Sequence, residues 1–338
     1  YFTRRYKKEE LYLNLENYIK EHEPAFDAKK FEEYFEQNTP SQILSNEMKS
    51  ATSNNYLSIR FNVPEWIVNM WHKQYSRSIC IKTIAALSSK QKQYVKINQF
   101  LDFNHLVLPS DEFVQSKVEP DIYEYISKQQ VRHNELILKN RIYVTNEIEN
   151  DLIKKIKLNF VNNVVFYFYE KNNFHIDLMN AFNENSTLGF FTDDFQKASK
   201  ALEYIKKYKT DKIYYDQAET DQLAPRILNS ANLFVLFPKS SNLNYVNSSP
   251  DYLLNFDSHE LDRIIIKEKE DLLNCSKYVL MGGYLAYFTH TMNKKENSEV
   301  IKDFLENNKN FQFVCEKEYL LSNKYSIFGY YAILTRVY

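Results

Sequence analysis

Glycine is nearly missing: four occur in 338 residues. A loop that brings backbone N–H groups against a ligand leans on glycine, because a residue without a Cβ turns sharply and leaves the space beside it open. Such a loop therefore has few places to form here. Cysteine is scarce as well. Cys80, Cys275 and Cys315 stand at spacings that fit neither a disulfide framework nor a CxxC metal pair, and their usage points to a reducing compartment. No uninterrupted apolar run reaches the roughly 18–20 residues of a membrane span. The greasiest stretch, Val161–Tyr169, is short and broken by asparagines. Excess charge of either sign is absent too. With 43 Lys and Arg against 44 Asp and Glu the net charge is −1, so no global field draws the chain to nucleic acid or to an anionic membrane, and any RNA contact has to be local.

Aromatics are plentiful, with 27 Tyr and 24 Phe. Together with abundant Asn and Lys they read as the mark of an AT-rich genome rather than of base-stacking surfaces. At 40.5 kDa the chain has room for about two domains. Residues 5–22 (Leu11, Leu13, Leu15, Tyr18, Ile19) and 28–37 (Phe31, Tyr34, Phe35) read as amphipathic helices of an N-terminal extension, residues 1–55, closed by Pro40 and a polar linker. Pro64 suits the first turn of a helix whose Trp66, Ile67, Met70 and Trp71 form an apolar face, and both tryptophans are expected in a core.

From about residue 150 apolar runs at Val164–Tyr169, Leu188–Phe191, Ile213–Tyr215, Leu233–Phe237 and Tyr284–Phe288 alternate with helical stretches at 174–182, 195–208 and 258–278. That alternation predicts a mostly parallel sheet covered on both faces. Asp257 and Glu260 have the spacing of a capping box at the start of the longest helix.

Two of the four glycines, Gly282 and Gly283, read as a turn opening the stretch Met281–Asn297, with an apolar run to Phe288, a polar elbow Thr289-His290-Thr291 and then Glu296-Asn297. This segment resembles the Sun family of RNA cytosine-5 methyltransferases, whose motif reads GG-x-L-V-Y-x-T-C-S…E-N and whose cysteine attacks C6 of the target base. His290 stands at that cysteine position, and Lys239, in Leu236-Phe237-Pro238-Lys239-Ser240, stands at the second cysteine of a D-A-P-C-S motif. Ser249-Pro250-Asp251 echoes R-x-P-D. Pro64–Ser76 resembles the family's P-x-W helix, Tyr94–Asn98 its L-R-V-N strand and Arg141–Asn146 its V-Q-D segment. The likeness spans residues 56–338.

The resemblance implies an α/β protein: a Rossmann-like methyltransferase sheet of about seven strands over residues 151–338, with Val164–Tyr169 central, and a smaller N-terminal RNA-binding-like α+β domain over 56–150. It also implies S-adenosylmethionine chemistry, against which the residues raise objections. The family's glycine loop is replaced by Glu170, Lys171, Asn172 and Asn173, whose side chains are expected to fill the cofactor's space. Asp193 or Thr192 stands where an acid should meet a ribose, and Asp216 could face an adenine. A thiolate adds to C6 far more readily than lysine or histidine.

The sequence therefore gives the expectation of no cofactor, no metal, no catalytic residue and no enzyme activity: a methyltransferase-like pseudoenzyme retained in a ribonucleoprotein particle. Its expected partners are ribosomal RNA and ribosomal proteins, in a mitochondrial ribosome or its assembly intermediate. The organelle rests on a sequence that begins at Tyr1 with Arg4, Arg5, Lys7 and Lys8 close behind, as at the end of a removed presequence or at a truncation. An active S-adenosylmethionine-dependent rRNA methyltransferase and a protein-only scaffold remain the alternatives. The RNA contacts expected are Arg4, Arg5, Lys7, Lys8, Lys90, Lys92, Lys96, Lys239 and His290.

Overall fold

The computed structural model describes residues 53–89, 91–101, 106–156, 162–169, 172–182, 186–194, 212–223, 227–243, 256–321 and 325–338, with a few isolated positions besides. The helices expected at 5–22, 28–37 and 195–208 and the segment Ser249–Asp251 lie outside the described residues or almost wholly so.

Two compact units divide the chain, residues 1–88 with 245–256, and residues 89–244 with 257–338. The described part of the first unit is helical. Ser53 caps α1 (Asn54–Phe61) by accepting from Tyr56 N at 3.1 Å, and Ser76 caps α3 (Arg77–Leu87) by accepting from Ile79 N at 3.4 Å. Between them α2 (Glu65–Gln74) starts directly after Pro64, whose ring fixes φ and whose missing N–H is not needed there. Ile67, Val68 and Trp71 form its buried face, while Trp66 is half-buried and stacks on Phe256 at 5.9 Å.

The second unit carries two sheets. The smaller is antiparallel in the order β2-β3-β1-β4, with β1 Tyr94–Ile97, β2 Phe113–Gln115, β3 Tyr123–Tyr125 and β4 Ile142–Thr145, over a core of Val95, Phe113, Tyr125, Val131 and Ile142. The expected strands at 94–98 and 141–146 are thus direct neighbours. A short helix, α4 (Glu135–Leu138), precedes β4, and α5 (Glu147–Lys155) follows it, begun by Asn146, whose side chain accepts from Glu149 N at 2.9 Å.

The larger sheet has seven strands in the order β10-β11-β9-β8-β5-β6-β7. Its parallel part is β5 (Asn163–Phe168), β6 (Thr187–Thr192), β7 (Ile213–Gln217), β8 (Ala231–Phe237) and β9 (Val279–Thr289). The antiparallel hairpin β10 (Phe311–Tyr319) and β11 (Gly329–Arg336) completes it. Helices α6 (Phe174–Ala181), α7 (Ser258–Ser276) and α8 (Ser298–Asn307) cover it. Side chains of β5 alternate between two cores: Val164, Phe166 and Phe168 join one, Val165 and Tyr167 the other. Such a strand, buried on both faces, reads as an unbroken apolar run, which is why it was visible in the sequence.

Chain order reverses between β5 and β8: from β5 the sheet grows outward through β6 to β7, and on the other side through β8 to β9. The crevice beyond the carboxyl ends of those two strands is where an open α/β sheet takes its ligands.

Two local expectations change. Asp257 caps α7, accepting from Glu260 N at 2.9 Å, but the Glu260 carboxylate turns to Lys239 and Arg263, so the box is not reciprocal. Gly282-Gly283 is no turn ahead of a strand. Ala231 pairs with Val279 and Leu233 with Tyr284, so Leu280–Gly283 bulges out of β9 at its amino end, with Gly282 at φ +78°.

Candidate active site

The carboxyl edge of the large sheet gathers residues far apart in sequence. Lys239 follows β8, His290 follows β9, Tyr169 and Asn172-Asn173 follow β5, Asn146 caps α5 and Glu149 stands in its first turn. Lys239 Nζ pairs with Glu260 at 3.0 Å and lies 5.8 Å from the centre of the Tyr169 ring.

His290 meets Phe237 edge-on at 5.0 Å and Phe288 at 5.9 Å. Its Nε2 lies 3.7 Å from Glu149 Oε1 and 3.5 Å from Asn146 Nδ2. Burial lowers its pKa to about 4, which leaves a neutral imidazole near pH 7. Glu149 moves the other way. Burial, reinforced by the charge of Asp177, raises its pKa to about 8.

Behind this pair Lys96 reaches from β1 to α6 and donates to Asp177 Oδ1 at 2.9 Å and to Asn150 at 3.0 Å, while Tyr143 donates to the same Asp177 oxygen at 2.8 Å. Lys92 pairs with Glu124 at 2.6 Å. Lys92 and Lys96, two of the lysines expected at RNA phosphates, are thus engaged with carboxylates of the chain itself. Arg4, Arg5, Lys7, Lys8, Lys90, Glu170 and Lys171 lie outside the described residues.

Glu149 and Asp177 escaped the sequence reading. Asn146 and Glu149 do stand at capping-box spacing, and that signal predicts a carboxylate folded back on its own helix start rather than one facing a histidine 141 positions on.

The corner after β5 tests whether a nucleoside-bearing methyl donor fits. Asn172 accepts from the Phe174 N–H at 3.0 Å, and Asn173 donates to the Val144 carbonyl at 2.8 Å. These two side chains are tied to the backbone around them. At the ends of the next two strands stand Asp193, after β6, and Asp216, on β7. Acids there fit a ribose and the adenine beside it, so the described residues fit such a group. Among the described residues no cluster of three or more His, Cys, Asp and Glu could hold a metal, and no helix is long and apolar enough to cross a membrane.

Cys275 and Cys315 lie away from this edge, and Cys80 belongs to the first unit. Cys80 is buried in α3 with its thiol pushed up to about 11, Cys275 is fully buried in α7 with its thiol raised well above the ordinary range, and Cys315 sits midway along β10, also raised by burial.

No protein-family model matches the chain, and no curated protein sequence does. Solved structures do. The chain is similar to PH0851 at 15 % identity and a TM-score of 0.72, over 86 % of this chain and 70 % of that one. It is similar to a methyltransferase homolog protein from Pyrococcus horikoshii at 10 % identity and a TM-score of 0.67, over 86 % and 100 %. A third likeness is to NSun6 from Pyrococcus horikoshii, solved with SFG, at 11 % identity and a TM-score of 0.63, over 81 % and 98 %.

The fold is therefore that of these methyltransferases over more than four-fifths of the chain. This overturns the expectation that the chain is not an enzyme. That inference came from replaced motif residues alone, and the seven-stranded sheet with its crevice at the β5–β8 switch point is shared with these structures.

Proposed function

We propose that this chain is an S-adenosylmethionine-dependent RNA methyltransferase whose acceptor is a nitrogen or oxygen of RNA rather than a pyrimidine carbon. The observation that carries the reading is the neutral, buried His290 at the carboxyl edge of a methyltransferase sheet, where no cysteine stands. RNA as the acceptor is supported by the ordered likeness to Sun-family motifs from Pro64 to Asn297.

The cofactor, when bound, supplies an electrophilic methyl group. A base nitrogen or a ribose hydroxyl can take it directly, without the covalent adduct that carbon-5 methylation needs. What the protein must add is orientation and a place for the acceptor's proton. His290, neutral near pH 7, has a ring nitrogen lone pair to receive it. Lys239 and the Tyr169 ring offer a cation and an aromatic face at the same edge. Asp193 and Asp216 would hold the cofactor's nucleoside.

Calorimetric titration with S-adenosylmethionine tests the cofactor half of the proposal. The expected dissociation constant is on the order of 10 μM, weakened about tenfold in Asp193→Asn, or roughly 1.4 kcal/mol. Absence of binding by the folded wild-type protein would overturn it.

A further inference from the structure

Beneath the carboxyl edge a turn between β9 and α8 holds Glu296 and Asn297, both at 0 % exposure. The Glu296 carboxylate accepts from the Ser241 backbone N–H, from the Ser241 hydroxyl and from Asn293 Nδ2, each at 2.7 Å. Asn297 accepts from the Thr289 hydroxyl at 2.6 Å and donates to the Thr291 carbonyl at 3.0 Å. The hydroxyls of Ser241 and Thr291 meet at 2.7 Å.

Ser241 stands two residues after Lys239, and Thr289 and Thr291 flank His290. The bonds therefore join the segment after β8 to the segment after β9, and those segments carry the two residues that face the crevice. None of them reaches the crevice itself.

A second carboxyl gives the contrast. Glu268 on α7 is also at 0 % exposure, and neither of its oxygens makes a hydrogen bond. The nearby Tyr287 hydroxyl donates instead to the Glu296 carbonyl at 2.7 Å. Burial and the charge of Glu296 hold the Glu268 carboxyl well above its ordinary range. Burial raises both carboxyls, but Glu296 accepts from three donors while Glu268 has none within hydrogen-bond geometry, so the surroundings favour the charged form at Glu296 over Glu268.

We infer that Glu296 is a positioning residue: by holding Ser241 and Asn293 with one carboxylate it sets where Lys239 and His290 stand relative to each other. This concerns the geometry of the edge and holds whether or not methyl transfer follows.

The test is the pH titration of the His290 imidazole, read by NMR and identified by the resonance lost in His290→Gln. In the wild type its midpoint is expected near 4. Glu296→Gln keeps the shape but turns an amide N–H group on donors that need an acceptor. The two segments should part, water should reach His290, and its midpoint should rise by about one pH unit or more. Glu268→Gln removes a carboxyl that holds neither segment, and should leave the midpoint where it is. If Glu296→Gln does not fold, Ser241→Ala removes one donor and should give a smaller rise in the same direction. A role confined to stability would lower the melting temperature of Glu296→Gln with no change at His290. An unmoved midpoint in Glu296→Gln, or in Ser241→Ala where that variant must stand in, overturns the inference. So does an equal shift in Glu268→Gln.

Discussion

His290 and Glu149 lie 3.7 Å apart, and the same dry surroundings drive their proton affinities in opposite directions, to about 4 and about 8. Each displacement makes stability depend on pH. A carboxyl raised on folding binds its proton more tightly in the native state, so Glu149 stabilises at low pH and loses that contribution as pH climbs from its ordinary value through about 8. A histidine lowered on folding does the reverse: His290 costs stability below its ordinary 6.5 and nothing above it. Between pH 4.5 and 6.5 the two slopes oppose each other. Above 6.5 only Glu149 continues, and it should remove about 2 kcal/mol by pH 8. Urea denaturation across this range is expected to show that decline in the wild type and a shallower one in Glu149→Gln, since Glu268 and other raised carboxyls still contribute. A Glu149→Gln profile parallel to the wild type would mean that the carboxyl is ionised in the native state and the pairing with His290 is misread.

At the level of elements, the bulge at the start of β9 separates two glycines that look alike in sequence. A Cβ on Gly283 would lie 2.8 Å from the Leu280 carbonyl oxygen and 2.9 Å from that of Ala231, both backbone atoms that cannot swing aside. One on Gly282 would meet nothing within 4 Å and suffer only from φ +78°. Gly283→Ala should therefore cost about 1–3 kcal/mol, and Gly282→Ala about 1 kcal/mol. Neither should change cofactor binding, because the bulge lies at the end of β9 opposite His290. A folded Gly283→Ala protein that no longer binds S-adenosylmethionine would return these glycines to the site.

The same strand shows what a sequence discloses. The apolar runs at 164–169, 188–191, 213–215, 233–237 and 284–288 all became strands of the large sheet, because burial on both faces removes polar interruptions. The three-residue strands β2 and β3, half-exposed and set among polar turns, carried no such mark. Lys239 and His290, singled out by the motifs, follow two neighbouring strands at one edge. Glu149, Asp177 and Ser241 join that region only through pairings across strands and helices, and no local pattern announces them. Side-chain identity likewise does not reveal that Asn172 and Asn173 bond to backbone around them.

For the whole molecule, a net charge of −1 leaves RNA binding to local groups, and the structure narrows the choice. Lys96 is committed to Asp177, whose side chain is fully buried. Lys96→Glu would leave that carboxylate facing a like charge, and the expected result is a loss of about 3–5 kcal/mol in stability rather than a selective loss of RNA binding. A stable Lys96→Glu protein with weakened RNA binding would assign Lys96 to phosphate after all.

The central claim is a methyl group delivered to a heteroatom of RNA by a methyltransferase sheet with no thiolate at its edge. Its most direct test is incubation of total RNA with the protein and methyl-labelled S-adenosylmethionine, followed by digestion to nucleosides and mass spectrometry. The account predicts label on a base nitrogen or a ribose oxygen, reduced at least about tenfold in His290→Ala, a change of roughly 1.4 kcal/mol in the barrier. Label at carbon 5 of a pyrimidine, or no label from protein shown to bind the cofactor, would contradict it.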